Sequence, residues 1–284
     1  MEDKPPIALF CYNRPKHLVS TISSLQSCED SDSYNLHIFS DGPKDIHDRK
    51  NVEQVREIIR QIVGFKSVKV YESERNRGLA DSVIDGVSTV LRDSHSVIVV
   101  EDDLVFDRFF LKFMTDALIE HEEDPSIFSV SGFSPIDASD IAFPYETYLS
   151  PRIHSWGWGI WAPQWEKIDW DLTKLNDFFR DKSKVEHFVS GGPDLVPMVI
   201  RYLNREIDSW AIRMALAASN LNAYCVYPTR SLVDNHGLDG SGTNCGAQDN
   251  SPADTHFNNV EVKRFVKGNN LNPDILNRFW NAYS

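Results

Sequence analysis

Ser96-Val97-Ile98-Val99-Val100-Glu101-Asp102-Asp103 decides how the rest of the chain is read. Four β-branched apolar residues, Val97 to Val100, run straight into three carboxylates. Such an unbroken apolar run predicts a strand buried on both faces, as central parallel strands are. The acids then fall at its carboxyl end, the edge of an open α/β sheet where ligands bind. Three neighbouring carboxylates repel one another unless a cation lies between them. Hard divalent ions such as Mg²⁺ and Mn²⁺ take oxygen ligands and leave positions for substrate phosphates, which makes the cluster a candidate metal–diphosphate site. The alternative is a solvated acidic turn capping the next helix, whose pattern starts at Asp107.

Upstream, Ile7 to Cys11, Leu36 to Phe39 and Val68 to Tyr71 predict three more strands. Between the strands, apolar residues recur at helical spacing: Leu18, Ile22 and Leu25; then Val52, Val55, Ile58, Ile59 and Ile62; then Leu79, Val83, Val87 and Leu91. Pro15 suits the first turn of a helix. Ser40-Asp41-Gly42-Pro43 is a turn signal. The order β-α-β-α-β-α-β predicts a mostly parallel, doubly wound α/β sheet with right-handed crossovers. That topology brings Arg14, Asp41 and Arg75, each in a loop at a strand's carboxyl end, to the edge that carries the acids. Arginine has the geometry to pair with phosphate or to stack on a base. Asp41 suits a pyrimidine N–H or a ribose hydroxyl. Taken singly, the arginines read as surface loop residues and Asp41 as a turn aspartate bonding its own backbone. Their shared edge favours a nucleotide site.

Beyond Asp107, a helix carries Phe109, Phe110, Phe113, Ala117 and Leu118, ends at Asp124-Pro125, and gives way to a strand from Ile127 to Val130. Residues 131–150 are rich in Ser, Pro and Asp and read as loop. Trp156-Gly157-Trp158-Gly159-Ile160-Trp161 could set flat rings against a sugar face, with glycines admitting ligand to the backbone. The rival reading is core packing; at least one tryptophan is assigned to the core, and Trp156, Gly157 and Trp158 to the site lining. Residues 172–205 hold helical segments broken at Gly191-Gly192-Pro193. Asp208-Ser209-Trp210 opens a helix through Ala218, with Asp208 or Ser209 as its N-cap. A carboxylate beside Trp210, partly shielded from water, suits a general base. Tyr224 to Tyr227 predicts a strand. The Gly-, Asn- and Asp-rich segment 231–250 reads as a loop free to close over a ligand, or as a plain surface loop. His236 in it is a candidate metal ligand or diphosphate contact. From His256 onward no period is readable.

The net charge of −13 over 284 residues argues against a nucleic-acid partner, which demands clustered Lys and Arg. No apolar run is long enough to span a bilayer, and Met1-Glu2-Asp3-Lys4-Pro5-Pro6 lacks the form of a signal peptide. Cys11, Cys28, Cys225 and Cys245 show no metal-type spacing, so free thiols in a reducing cytoplasm are expected.

Val99-Val100-Glu101-Asp102-Asp103-Leu104, then Phe109-Phe110, Asp124-Pro125-Ser126 and Ser129-Val130-Ser131, resembles the core of the GT-A glycosyltransferases. The likeness is nearest to the β-1,2-N-acetylglucosaminyltransferases of N-glycan synthesis and to bacterial GT-A enzymes of surface-polysaccharide synthesis. It extends by motif order over residues 5–245. The resemblance implies a GT-A fold, in which a Rossmann-like nucleotide-sugar-binding half, 1–130, joins a smaller acceptor-binding and catalytic half, 131–250. A C-terminal segment, 251–284, completes one continuous domain. It implies that Asp103 binds Mn²⁺ (or Mg²⁺), that Glu101 and Asp102 contact nucleotide and donor sugar, and that Arg14 and Asp41 hold uridine, with Arg75 another nucleotide contact. Asp208 matches the catalytic base of an acid–Trp motif, although Ser209 stands between the acid and Trp210 here, where the N-glycan enzymes have the two adjacent. Segment 231–244 matches a nucleotide-covering loop with Gly240 and Ser241 as backbone contacts. Bacterial relatives carry a histidine near the end of that loop, where this chain has Asn244, so a histidine role at the metal falls to His236.

The implied activity is metal-dependent, inverting transfer of a sugar, GlcNAc or a similar hexose, from a UDP-sugar to a hydroxyl of a glycan or lipid-linked glycan. Two rivals stand beside it. A nucleotidyltransferase wants a glycine-rich loop after the first strand, and Cys11-Tyr12-Asn13-Arg14-Pro15 has no glycine. A carbohydrate-binding protein without catalysis leaves the acids unexplained.

Overall fold

The computed structural model describes residues 4–238 and 257–284. Its strands, in chain order, are β1 (Ile7–Cys11), β2 (Asn35–Ser40), β3 (Ser67–Glu72), β4 (Ser96–Glu101), β5 (Leu104–Phe106), β6 (Ile127–Ser131), β7 (Thr147–Ser150), β8 (Trp158–Trp161), β9 (Tyr224–Pro228) and β10 (Val233–Asn235). The helices are α1 (Pro15–Gln26), α2 (Arg49–Ile59), α3 (Leu79–Leu91), α4 (Phe110–Glu120), α5 (Ala162–Trp165), α6 (Leu175–Arg180), α7 (Lys182–Val189), α8 (Leu195–Leu203), α9 (Trp210–Asn220) and α10 (Pro273–Asn281).

Eight strands form one sheet in the order β3-β2-β1-β4-β8-β6-β9-β7, and β5 and β10 form an antiparallel pair beside it. From β3 through β4 all neighbours are parallel. β8 is antiparallel to both β4 and β6, so β6, and β9 parallel to it, run with β4. β7 reverses against β9. The result is a mixed α/β fold around a large, mostly parallel sheet, as the sequence pattern predicts.

Alternation along the central strands sends side chains to two cores. Ile7, Leu9, Ile98 and Val100 meet Leu18, Ile22 and Leu25 of α1, Val55 and Ile59 of α2, and the apolar face of α4. Ala8, Phe10, Val97 and Val99 meet Ala80, Val83, Val87 and Val90 of α3, and α9 closes the same face. Every residue of β1, and Val97 to Val100 of β4, is buried, which is why these strands read as unbroken apolar runs rather than as alternating ones. Cys11, Cys28 and Cys225 are free and buried. Burial pushes the Cys28 and Cys225 thiols up to about 12, and Cys11 well above the ordinary thiol value. No described helix is long and apolar enough to cross a membrane.

Four segments differ from their sequence expectation. Within 131–150, read as loop, lies the short edge strand β7. Trp158 and Trp161 of the glycine-spaced run bound β8, which inserts between β4 and β6 and so fuses the two expected halves into one sheet. Gly159 interrupts the apolar pattern where a Cβ would lie 3.0 Å from Met114 Cε and 3.1 Å from the Val97 carbonyl oxygen: α4 and β4 approach so closely that a side chain would need its neighbours to give way. Segment 231–250, also read as loop, begins with β10. The C-terminal segment holds α10, capped by the Asn272 side chain and anchored through buried Ile275 and Phe279.

Gly86 of α3 offers a direct check of the interlocking of helix and sheet. A Cβ there would fall 2.5 Å from Phe10 Cε1, on a ring already stacked 5.1 Å from Phe39. Gly86→Ala is expected to lower unfolding stability by about 1–3 kcal/mol through overpacking, as read by urea denaturation. A gain in stability, from the better helix propensity of alanine, would contradict this packing.

Candidate active site

The acids stand where β4 ends. Glu101 is the last residue of the strand and faces Phe10 in the register of β1. Asp102 and Asp103 form the turn into β5. The cation between them is a residue of the chain itself: Arg14 Nη2 lies 2.6 Å from Asp102 Oδ1 and 2.9 Å from Asp103 Oδ2. Asp102 also accepts from the Tyr12 backbone N–H at 3.0 Å. The segment after β1 is thereby clamped to the end of β4 by two kinds of bond. On the other side, the His236 backbone N–H donates to the Asp103 carbonyl at 2.8 Å. Gly237 packs so close that a Cβ would be 2.2 Å from Asp103 Oδ2 and 3.0 Å from Arg14 Nη1. Only a glycine admits this approach without displacing the ion pair.

The carboxyls of this corner perturb one another. Burial, then Asp103 and Asp102, push Glu101 up to about 8, with Arg14 opposing. Burial likewise raises Asp102, offset in part by Arg14. Burial acts to lower Arg14, but Asp102 and Asp103 outweigh it and hold its guanidinium charged.

Asp41 is buried at the end of β2, and its carboxylate is already engaged. It accepts from Gly42 N at 2.8 Å, Asn76 Nδ2 at 3.0 Å, Arg77 N at 2.9 Å and Gly78 N at 3.1 Å. Arg77 and Gly78 lead into α3, so Asp41 ties β2 to the positive end of that helix. A base N–H would have to compete for these oxygens. Gly42 is obligatory beside it, since a Cβ would sit 2.5 Å from the Arg75 carbonyl carbon. The Arg75 side chain is exposed. Tyr12, which the sequence did not single out, holds the same rim together: its hydroxyl donates to Asp48 at 2.6 Å and accepts from Lys44 N at 3.0 Å.

Trp158 does not line the site. It is 0% exposed and stacks on Trp210 at 4.8 Å and Trp165 at 6.1 Å. It sits opposite Val99 in the β4–β8 register, inside the sheet, which makes its ring core. Gly157 is buried against Val233 and Phe110. Trp156 is only half-buried and packs edge-on to Phe133 at 4.6 Å and to His154 at 5.0 Å. His154 and Phe133 are additions to the aromatic rim. His154 Nδ1 accepts from Trp156 N, and burial, then Arg152, push its pKa down to about 3, so the ring stays neutral.

Asp208 stands two residues before Trp210, which stacks on Trp158, but it is not shielded as expected: its side chain is 70% exposed. The reason is that Ser209 takes the N-cap, its Oγ accepting from Ile212 N, so the acid is carried outside the helix. His236 Nε2 is buried and makes no hydrogen bond among the described residues, with Asp234 Oδ2 3.3 Å away. Gly240 and Ser241 lie outside the described residues.

An acidic cluster at the carboxyl end of a central strand, in a mostly parallel α/β sheet, fits the GT-A type glycosyltransferases. The glycosyl transferase family 2 profile matches residues 7–179, more than half of the chain, and the chain belongs to that family. No curated protein matches it. Among solved structures it is similar to a mannosyltransferase from Pyrobaculum calidifontis in complex with GDP-Man and Mn²⁺, at 15% identity and a TM-score of 0.40, covering 56% of this chain and 45% of that one. It is also similar to S. aureus TarS 1–349, at 13% identity and a TM-score of 0.43, covering 82% of this chain and 61% of that one. The chain thus spans less than two thirds of either.

The neutral His154 has a consequence for stability. In the unfolded chain the imidazole protonates near pH 6.5, whereas in the folded chain it resists until far lower pH. The unfolded state therefore gains the extra proton as pH falls below that value, and stability is lost with it. His154→Phe, which keeps a ring against Phe133 and Trp156, is expected to flatten the decline in unfolding free energy between about pH 7 and about pH 5. An unchanged slope in urea denaturation would contradict a neutral His154 in the folded chain.

Proposed function

We propose that this glycosyltransferase moves a sugar, GlcNAc or a similar hexose, from a UDP-sugar to a hydroxyl of a glycan or lipid-linked glycan, with inversion and with a divalent metal, in bacterial surface-polysaccharide or glycoconjugate synthesis. The observation that carries the reading is the Arg14–Asp102–Asp103 cluster at the carboxyl end of β4, an anionic corner with a cation already built in. The choice of UDP and GlcNAc rests on the sequence resemblance.

The donor set suits Mn²⁺ or Mg²⁺, since it is made of hard carboxylate oxygens. No three His, Cys, Asp or Glu side chains close a cage among the described residues. An ion held by one or two protein groups and completed by substrate phosphates is the usual habit of Mg²⁺. Asp103 would hold it, and the buried His236 Nε2, which lacks a hydrogen bond among the described residues, is the second candidate. When bound, the ion would supply positive charge to the departing diphosphate.

The other roles belong to the chain. Arg14 fixes the two aspartates, so that a nucleotide meets a preorganised corner. Glu101, Asp102, Asp41 and Arg75 remain candidate contacts for nucleotide and donor sugar, with Gly240 and Ser241 proposed on resemblance alone. Trp156, with Gly157 behind it, offers an aromatic face for sugar. Asp208 takes the proton from the acceptor hydroxyl as its oxygen attacks the anomeric carbon. The bond from that carbon to the diphosphate breaks, and UDP leaves with the electron pair. An exposed carboxylate that is not consumed by capping can accept that proton.

The test is UDP release from UDP-GlcNAc with Mn²⁺. Asp208→Asn is expected to lower kcat by about a hundredfold or more with donor affinity intact. Asp103→Ala is expected to lose at least about a hundredfold in kcat/KM. Full turnover in Asp208→Asn would remove the base assignment, and full turnover in Asp103→Ala the metal assignment.

A further inference from the structure

We infer that Arg213 is the positioning residue for Asp208, a role that rests on the proposed base. α9 reads Trp210-Ala211-Ile212-Arg213-Met214-Ala215-Leu216-Ala217-Ala218, and Arg213 is the one charge in this otherwise apolar run. Its side chain is only 9% exposed. Burying a guanidinium is costly unless its donors are satisfied. Two are: Nε donates to the Ser209 carbonyl and Nη1 to the Trp170 carbonyl, each at 3.3 Å. The plane is further fixed between the rings of Trp170 and Tyr202, 5.5 and 5.3 Å from the guanidinium carbon.

The remaining nitrogen is unsatisfied. Nη2 is buried and makes no hydrogen bond among the described residues. Asp208 Oδ1 lies 3.6 Å from it, close enough for ion pairing and slightly too far for a hydrogen bond. The arrangement is asymmetric. The cation is immobilised by the loop before α6, by α8 and by α9, while the carboxylate is 70% exposed. A small rotation of Asp208 completes the bond to Nη2 through one oxygen and leaves the other for an acceptor hydroxyl. Ser209 makes this possible, because it takes the helix cap that Asp208 would otherwise fill. The residue separating the acid from Trp210 thus has a structural use: it lets Arg213 hold the acid.

The experiment measures nucleoside diphosphate release from UDP-GlcNAc, or from GDP-mannose where that is the donor turned over, with Mn²⁺. Arg213→Met keeps the packed stem and removes the fork; Arg213→Lys keeps charge without the planar fork. Arg213→Met is expected to lower kcat by about ten- to a hundredfold while donor KM moves less than about threefold, the signature of a misplaced catalytic group. Arg213→Lys is expected to recover part of the loss, and Arg213→Met to cost nothing further in an Asp208→Asn background. Thermal unfolding of each variant checks that it folds; if Arg213→Met does not, Arg213→Gln replaces it. Wild-type kcat in a folded Arg213 variant, with Asp208→Asn inactive, would overturn this inference and leave the base reading standing. Full activity in Asp208→Asn would instead overturn the base reading, and the inference with it. A loss from Arg213→Met that persists in the Asp208→Asn background would show that Arg213 acts on something else, again overturning the inference.

Discussion

The contact of Arg14 with Asp102 and Asp103 is the constraint on which the sheet edge depends. Three consecutive acids at the end of a buried strand are untenable without positive charge. The chain supplies that charge from the loop after its first strand, at 2.6 and 2.9 Å. The Arg14 and Asp102 side chains are largely removed from water, so neither can lose its partner cheaply. Because Arg14 follows β1 and the acids end β4, the pair locks the neighbouring central strands in register at their carboxyl ends. Gly237 closes the corner from the far end of the chain. Residues more than two hundred positions apart in sequence thus converge on one point.

The second half of the chain is organised by tryptophan rather than by charge. β8 wedges between β4 and β6, and its Trp158 becomes the centre of a stack with Trp165 and Trp210. That stack sets where α9 begins and therefore where Asp208 stands. Packing in the core and placement of a polar group at the edge are in this way one problem. The same aromatic segment contributes to both surfaces, with Trp158 facing inward and Trp156 partly outward.

The parallel half was legible in the sequence because its signals are local and reinforce one another. Unbroken apolar strands, amphipathic helices and turn residues at strand ends each specify the same topology, and the strand of Val97 to Val100 lies where its pattern places it. Convergence of Arg14 with the acids followed from topology alone, although its direct pairing with them did not. The failures have physical causes. β8 was hidden because Gly159 breaks the strand pattern, and its reason, the close approach of α4, is tertiary. β7 and β10 are short and depend on partners distant in sequence. Trp158 could not be told from Trp156 as core or rim, since alternation has meaning only once the strand is recognised. Asp208 was expected in a shielded place because Trp210 was read as its cover, whereas Trp210 turns inward to Trp158. Arg213 did leave a signal, a lone charge in an apolar helix, that could have been read.

Nucleotide-dependent thermal unfolding addresses the acidic corner most directly. The chain is melted with UDP, GDP and CDP, each with and without Mn²⁺, alongside Asp103→Ala. A ligand at a hundred times its dissociation constant stabilises by about 2.7 kcal/mol, a readily visible shift. If the corner of Arg14, Asp102 and Asp103 is the donor site, the shift requires UDP and Mn²⁺ together and disappears in Asp103→Ala. A UDP shift that is the same without Mn²⁺ and in Asp103→Ala, or no shift with any of the three nucleotides in a folded sample, would contradict it.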